Sequence, residues 1–246
     1  MVWRERDRGM GGPEAAGGPA DGLYGLPAAA FALRLQEAAT LDELGALARG
    51  CTRCGLRGGC RGVVFGEGDP RAGLCLIGEG PGATEDEQGR PFVGKAGELL
   101  DRILAAAGFR RDQVYISNVV LCRPPGNRTP EPAEIAACRP YLLRRLQLLR
   151  PSILVLLGAT PLHAMVDPRA SIGAERGRWR RQDGLWVLPT YHPAYLLRAP
   201  ERKKEVWEDF QMIRELHRRL FGWPSEEAAA AREAPAGPAG APDEGG

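Results

Sequence analysis

The chain has 246 residues, 43% of them hydrophobic, and 33 Lys and Arg against 31 Asp and Glu give it a formal net charge of +2. That length holds one sizeable domain with ordinary core burial, and no stretch approaches the roughly 18 consecutive apolar residues of a membrane-spanning helix. Residues 1–30 lack the apolar core of a signal peptide, so a reducing, cytoplasmic setting is expected, in which six cysteines argue against a disulfide scaffold.

Residues 1–30, rich in Gly, Pro and Ala, read as a disordered extension, and 223–246 as a disordered acidic tail. The folded domain is expected over 31–222. Apolar residues recur at helical spacing from Phe31 to Ala48, a leading helix within 31–50, and Thr40 followed three residues later by Glu43 has the form of a capping box. Val63-Val64-Phe65 predicts an edge strand and Leu74–Ile77 a central one. A helix is expected over 95–107, ending at Gly108. Val114–Val120 is β-branched and aromatic enough for a buried strand. Arg123–Pro130 must be a loop, because three prolines deny it ladder donors. Glu134–Leu149 predicts a helix, and Ser152–Gly158 a strand with the continuous apolar run of a doubly covered parallel sheet. A short helix over Ala159–Met165 and an irregular, charged excursion over 167–184 follow. Trp186–Tyr191 is the last strand, opening into a loop at His192, and Arg202–Phe221 is a closing amphipathic helix. Strands alternating with helices predict a three-layer α/β/α fold with a mostly parallel central sheet.

The charge is unevenly spread. Residues 51–222 carry 27 Lys and Arg against 19 Asp and Glu, whereas 1–50 carry 5 against 7 and 223–246 carry 1 against 5. A basic core framed by acidic flanks is the footprint of a polyanion binder, although an Arg-rich solvated surface explains it as well. Arginine supplies nearly all of the positive charge, and its planar fork suits phosphate.

The stretch Gly78–Gly97 organises the chain: a glycine-rich, acid-rich loop at the carboxyl end of a buried strand, where open α/β sheets place their chemistry. Two nucleotide-binding patterns nearly fit it. Gly78, Gly80 and Gly82 resemble a dinucleotide turn, but the third glycine comes one residue early and no helix is expected to start there. Gly89, Gly94 and Lys95 resemble a P-loop, but Ala96 replaces the Ser or Thr that would hold magnesium, and Pro91 and Phe92 intrude on the phosphate cradle.

Cys51 and Cys54 form a CxxC pair, and Cys122 and Cys138 lie far downstream. CxxC places two sulfurs about one metal without strain, as in zinc and iron–sulfur sites. Cys122 and Cys138 could equally be small buried hydrophobes, and composition does not separate zinc from an iron–sulfur cluster. Cys75 sits within a strand and reads as core. Cys60, close behind the CxxC pair, could compete as a ligand.

Over roughly residues 51–220 these elements together resemble the family-4 uracil-DNA glycosylases, the type carrying an iron–sulfur cluster. The likeness rests on the CxxC pair, Val63–Gly68, the loop Gly78–Gly82 with Glu85-Asp86 and Gly89–Gly94, then Asn118, Cys122–Pro125, Cys138 and His192–Arg198. It implies a uracil-DNA glycosylase fold and a 4Fe–4S cluster rather than zinc, held by Cys51, Cys54, Cys122 and Cys138. It implies hydrolysis of the N-glycosidic bond of deoxyuridine in single- or double-stranded DNA, the first step of base excision repair, by a monomer. Catalytic roles fall on Glu79, Asn118 and His192. Glu79, Gly80 and Pro81 border the base, Phe92 stacks on it, Asn118 reads its edge, His192 stands by O2, and Glu85 crowds the C5 side to exclude thymine. Some glycosylases of the superfamily place an Asp where Gly80 stands, which leaves open whether Glu79 or Glu85 positions water. Ala194 stands where relatives often have Ser. Arg123, Arg128 and Arg198 are candidate phosphate contacts, and Tyr195, Leu196 or Leu197 a candidate wedge into the vacated stack. His163 and His217 fall on expected helices and need no functional explanation. The alternatives are a module that binds uracil-containing or single-stranded DNA with little turnover, or a polymerase accessory protein.

Overall fold

The computed structural model describes residues 28–222, so the acidic tail and residues 1–27 of the expected extension lie outside the described residues. Helix α1 (Ala28–Glu37) begins ahead of the expected domain boundary, and the expected leading helix is in fact two, α1 and α2 (Leu41–Arg49). The break is made by the capping box read from the sequence. Thr40 is extended and its hydroxyl accepts the Glu43 N–H at 3.2 Å, while the Glu43 carboxylate accepts the Thr40 N–H at 3.1 Å.

The sheet runs β1-β3-β2-β4-β6-β5. Its centre is four parallel strands, β2 (Leu74–Gly78), β3 (Tyr115–Asn118), β4 (Ile153–Leu157) and β6 (Leu185–Thr190). Antiparallel edges are added by β1 (Glu67–Gly68) and β5 (Arg180–Gln182). The edge strand expected at Val63–Phe65 is therefore displaced to 67–68. Val64 is tethered only by its N–H to the Leu121 carbonyl, beyond the point where β3 has ended.

The central strands are buried on both faces, which is why they read as unbroken apolar runs. Leu74, Leu76, Ile116 and Val155 face helices α5 (Lys95–Ala106) and α10 (Lys203–Phe221). Cys75, Ile77, Leu154 and Leu156 face α6 (Pro132–Leu149), against whose outer side α1 and α2 pack through Phe31, Leu44 and Tyr141. This is the three-layer α/β/α arrangement that the alternation of elements predicts.

Three further departures matter for the site. Helix α4 (Ala83–Gln88) does start directly after Gly82, where none was expected. The 167–184 excursion is not wholly irregular: it contains α8 (Ile172–Glu175) and β5, an edge strand whose charged sequence hides its pairing. His192 does not open a loop but N-caps helix α9 (Pro193–Arg198). No helix among the described residues is long and apolar enough to cross a membrane.

Candidate active site

Parallel pairing aligns the carboxyl ends of four strands along one edge: Gly78 lies opposite Asn118, and Leu157 opposite Thr190. The loops leaving those ends enclose a cleft of about 520 Å³. Glu79, Gly80, Pro81, Glu85, Phe92, Asn118 and His192, all expected around one pyrimidine, line it together. Switch-edge placement of this kind is the usual position of a ligand site in an open α/β sheet.

The first loop is fixed by its backbone. Val119 N–H donates to the Gly78 carbonyl at 2.9 Å and Val120 N–H to the Glu79 carbonyl at 3.1 Å, which extends the β2–β3 pairing into the cleft. The Glu85 carboxylate is fully engaged by main chain. Gly82 N–H donates to Oε2 at 3.1 Å, and Val93 and Gly94 N–H donate to Oε1 at 3.0 and 2.8 Å. Glu85 therefore clasps the Gly80–Gly82 turn to the segment that carries Phe92.

Phe92 adopts φ +51°, a left-handed backbone uncommon outside glycine. Pro91 and the flanking glycines suit a surface loop, yet Phe92 is only 5% exposed and belongs to the core. Close packing of Gly97 against the Phe92 main chain draws it inward. Its ring floors the cleft 5.5 Å from the His192 ring, the two planes inclined by 31°.

Asn118 ends β3 and is 1% exposed, yet its Oδ1 has no hydrogen-bond partner. Buried polar atoms are nearly always paired, so an orphan lining a cleft marks a place for a ligand donor. The His192 Nδ1 accepts the Ala194 N–H at 3.1 Å, so in the neutral ring the proton resides on Nε2. Burial, assisted by the Arg198 charge and opposed by Glu85, lowers the His192 pKa to about 4. The imidazole is thus a neutral donor at physiological pH.

Two contributors escaped the sequence reading. The β4–α7 turn lines the cleft through Leu157, Gly158 and Ala159, and helix α7 (Ala159–Met165) supplies Thr160, whose hydroxyl donates to Glu79 Oε2. The available signal was a glycine closing the most apolar strand, the point at which a chain turns over a sheet edge.

Of the three arginines, Arg128 and Arg198 line the cleft and Arg123 does not. Arg123 Nε donates to Asn127 Oδ1 at 2.7 Å, while Arg128 forms a two-pronged pair with Glu134 at 2.8 and 2.7 Å. Tyr195 also lines the cleft, and Leu197 is exposed. Leu196, a candidate wedge from sequence, is fully buried and cannot leave the core to enter a base stack.

On the α6 side of the sheet, Cys51, Cys54, Cys122 and Cys138 line a single cavity whose wall includes Leu56, Leu121 and Tyr141. Cys51 follows α2, Cys54 precedes the short α3 (Leu56–Gly59), Cys122 lies beyond β3, and Cys138 is on α6. All are free thiols, and no group of three or more His, Cys, Asp or Glu among the described residues is drawn together as a formed metal site. The donor set nevertheless suits a thiolate-bound group. Burial raises the Cys54 and Cys122 pKa values, helped by the neighbouring thiols, and pushes Cys138 up to about 12. Thiols raised in this way ionise readily only when a cationic centre compensates them. Cys75 is core, as expected, and Cys60, whose thiol donates to the Arg57 carbonyl at 3.7 Å, does not line the cavity.

The model of the uracil DNA glycosylase superfamily matches residues 65–211. A type-4 uracil-DNA glycosylase of Thermotoga maritima is 47% identical over 167 residues, covering 65% of this chain and 86% of the relative. Proteins of the same name from Sulfurisphaera tokodaii and Pyrobaculum aerophilum are 45% and 42% identical, covering 68% and 70% of this chain and 80% and 92% of their own. With that fold and these relatives, the chain belongs to the uracil DNA glycosylase superfamily, and within it to the type-4 uracil-DNA glycosylases.

Proposed function

We propose that this protein hydrolyses the N-glycosidic bond of deoxyuridine in single- or double-stranded DNA, releasing uracil and leaving an abasic site, and so begins base excision repair. The observation that carries the reading is the unpartnered, buried Asn118 Oδ1 in a cleft it shares with the Phe92 ring and a neutral His192. The relatives' names point the same way.

In this reading the nucleotide is extruded from the stack, at a cost of a few kcal/mol, and the base lies on Phe92, where stacking contributes about 1–3 kcal/mol. The Asn118 amide accepts N3–H and donates to O4. Cytosine inverts that pattern and leaves buried polar atoms unpaired, which is the physical basis of its rejection. Cleavage breaks the C1′–N1 bond, and the electron pair departs with the uracil anion. His192 Nε2–H donates to O2 and stabilises that charge as an oxyanion hole does. Water adds to the oxocarbenium-like C1′ and gives up one proton, which ends on the departing uracil anion, so that the products are neutral uracil and an abasic sugar. Glu85 has both oxygens bound by backbone N–H groups, so Glu79 is the carboxylate left to orient that water, with Gly80 and Pro81 bordering the base. Glu85 acts as the clasp that holds Phe92, and its bulk on that wall crowds a C5 methyl. Arg123, Arg128 and Arg198 contact phosphates around the opening.

Cys51, Cys54, Cys122 and Cys138 would hold the 4Fe–4S cluster. When bound, the cluster supplies a structural cross-link between the leading helices, the segment beyond β3 and α6. The protein works as a monomer in a reducing cytoplasm.

The test uses purified full-length protein and oligonucleotides with a single uracil. Alkali-labile cuts at uracil only, in single-turnover excess of enzyme, are the expected result. Tight binding without cutting would replace this reading with a sequestering module or a polymerase accessory. Anaerobically purified protein should be brown and contain about four iron atoms per chain, as a single 4Fe–4S cluster requires.

A further inference from the structure

We propose that Thr160 is a positioning residue for the reaction: its hydroxyl aims the Glu79 carboxylate. The proposal rests on the reading of Glu79 as the carboxylate that orients water.

Thr160 lies in the first turn of α7 and is only 6% exposed. Hydroxyls early in a helix commonly bond their own backbone, but this one donates across the cleft wall to Glu79 Oε2, a residue 81 positions away. The Glu79 main chain is held independently, because its carbonyl accepts the Val120 N–H at 3.1 Å. A glutamate has three side-chain torsions, and free rotation about them would spread the carboxylate over many positions. With the backbone anchored to β3 and one oxygen to α7, Oε1 is left without a hydrogen bond among the described residues. Preorganisation of this kind lowers the barrier for a water that must approach along one line.

The same turn sets the opposite wall. Gly158 N–H donates to the Thr190 carbonyl at 2.8 Å, and a Cβ at Gly158, where φ is +99°, would stand 3.1 Å from the His192 Cβ. The β4–α7 turn therefore touches both the anion-stabilising imidazole and the water-orienting carboxylate, and it fixes the gap between them. A hydroxyl bonding a carboxylate makes a charge-assisted bond, shorter and more directional than a neutral one.

The experiment compares Thr160→Val, equal in shape without the donor, with Thr160→Ser, which keeps it, on a single-uracil oligonucleotide under single turnover. Thr160→Val should lower the excision rate about 10–100-fold and leave the Kd for DNA unchanged within about two-fold. Thr160→Ser should restore the rate, and Thr160→Val in a Glu79→Gln background should add no further loss. If Thr160→Val does not fold, Thr160→Ala takes its place with the same expectations. An unchanged rate in the valine protein would overturn the proposal, as would a full, additive loss in the Glu79→Gln background. A Glu79→Gln protein as fast as the parent would instead remove the underlying reading of Glu79, and no excision by the parent would remove the enzyme reading itself.

Discussion

Gly78 offers a test of the pocket that touches none of its side-chain functional groups. It is the last residue of β2, pairs with Asn118, and keeps ordinary strand backbone, so alanine there meets no conformational penalty. The penalty is steric: a Cβ at this point would lie 2.4 Å from Phe92 Cζ, 2.7 Å from Phe92 Cε2 and 2.5 Å from Asn118 Oδ1. Ordinary carbon contacts begin near 3.4 Å, so the ring and the amide must each retreat by about 1 Å. Overpacking by one methyl in a closed core costs about 1–3 kcal/mol, which for a domain of this size lowers Tm by roughly 2–12 °C. The catalytic effect should be larger than the stability effect, because a misplacement near 1 Å can cost about 10²-fold in rate. Gly78→Ala is therefore expected to stay folded, keep its iron content and excise uracil about two orders of magnitude more slowly. Circular dichroism melting and single-turnover excision on one oligonucleotide measure both quantities. An alanine protein that melts as expected but excises at the parental rate would refute the idea that Phe92 and Asn118 jointly hold the base.

Four further outcomes follow from named contacts. Asn118→Ala should lower kcat/KM for uracil by about 10² or more while binding of uracil-free DNA and iron content persist; filter binding and iron analysis check this. Cys122→Ala should show the reverse hierarchy, with iron, colour and solubility lost first. Nitrogen NMR of the His192 ring should find it neutral, protonated on Nε2, from pH 8 down to 5, with titration near 4; a midpoint near 6.5 would contradict its burial. The unfolded chain takes up that proton near 6.5 and the folded one near 4, so His192 makes the fold less stable as pH falls through this window. Asp209→Ala removes a fully buried carboxylate that pairs with Arg176 and accepts, at 2.5 Å, the hydroxyl of Thr190, two residues short of His192. Arg176 keeps Glu205 at 3.3 Å, so the loss in urea unfolding should stay below the roughly 3–5 kcal/mol of a fully stranded partner, at about 1–3 kcal/mol, and a loss under about 1 kcal/mol would show the Asp209 contacts to be dispensable.

The central strands and the positions at their tips were legible because burial on both faces writes an unbroken apolar run, and the chain must then turn. Asn118, His192 and the glycines after Ile77 stand at those turns. Helix α4 escaped notice since Ala83–Gln88 is short and polar and is started by Gly82, which has no side chain to announce a cap. Strand β5 was hidden by charge: Arg180, Arg181 and Gln182 carry no alternation, and the strand exists only because β6 offers an open edge. Thr160 could not be found from the sequence, as its significance is a contact with Glu79 that only the fold creates. The burial of the Phe92 ring was not legible for a related reason. Proline and glycine neighbours signal a loop, but they do not say that Gly97 will let that loop settle into the core.

Arg128 carries a consequence for how DNA would be held. Its guanidinium is already matched by Glu134 and flanked by Glu131 at 3.4 Å, whereas Arg198 forms no salt bridge among the described residues. A phosphate arriving at Arg128 finds a fork of hydrogen-bond donors with little net charge behind it, so few condensed counterions are displaced there. Complex formation should respond to ionic strength with a slope nearer two released ions than three, and Glu134→Gln, by unmasking the guanidinium, should steepen it.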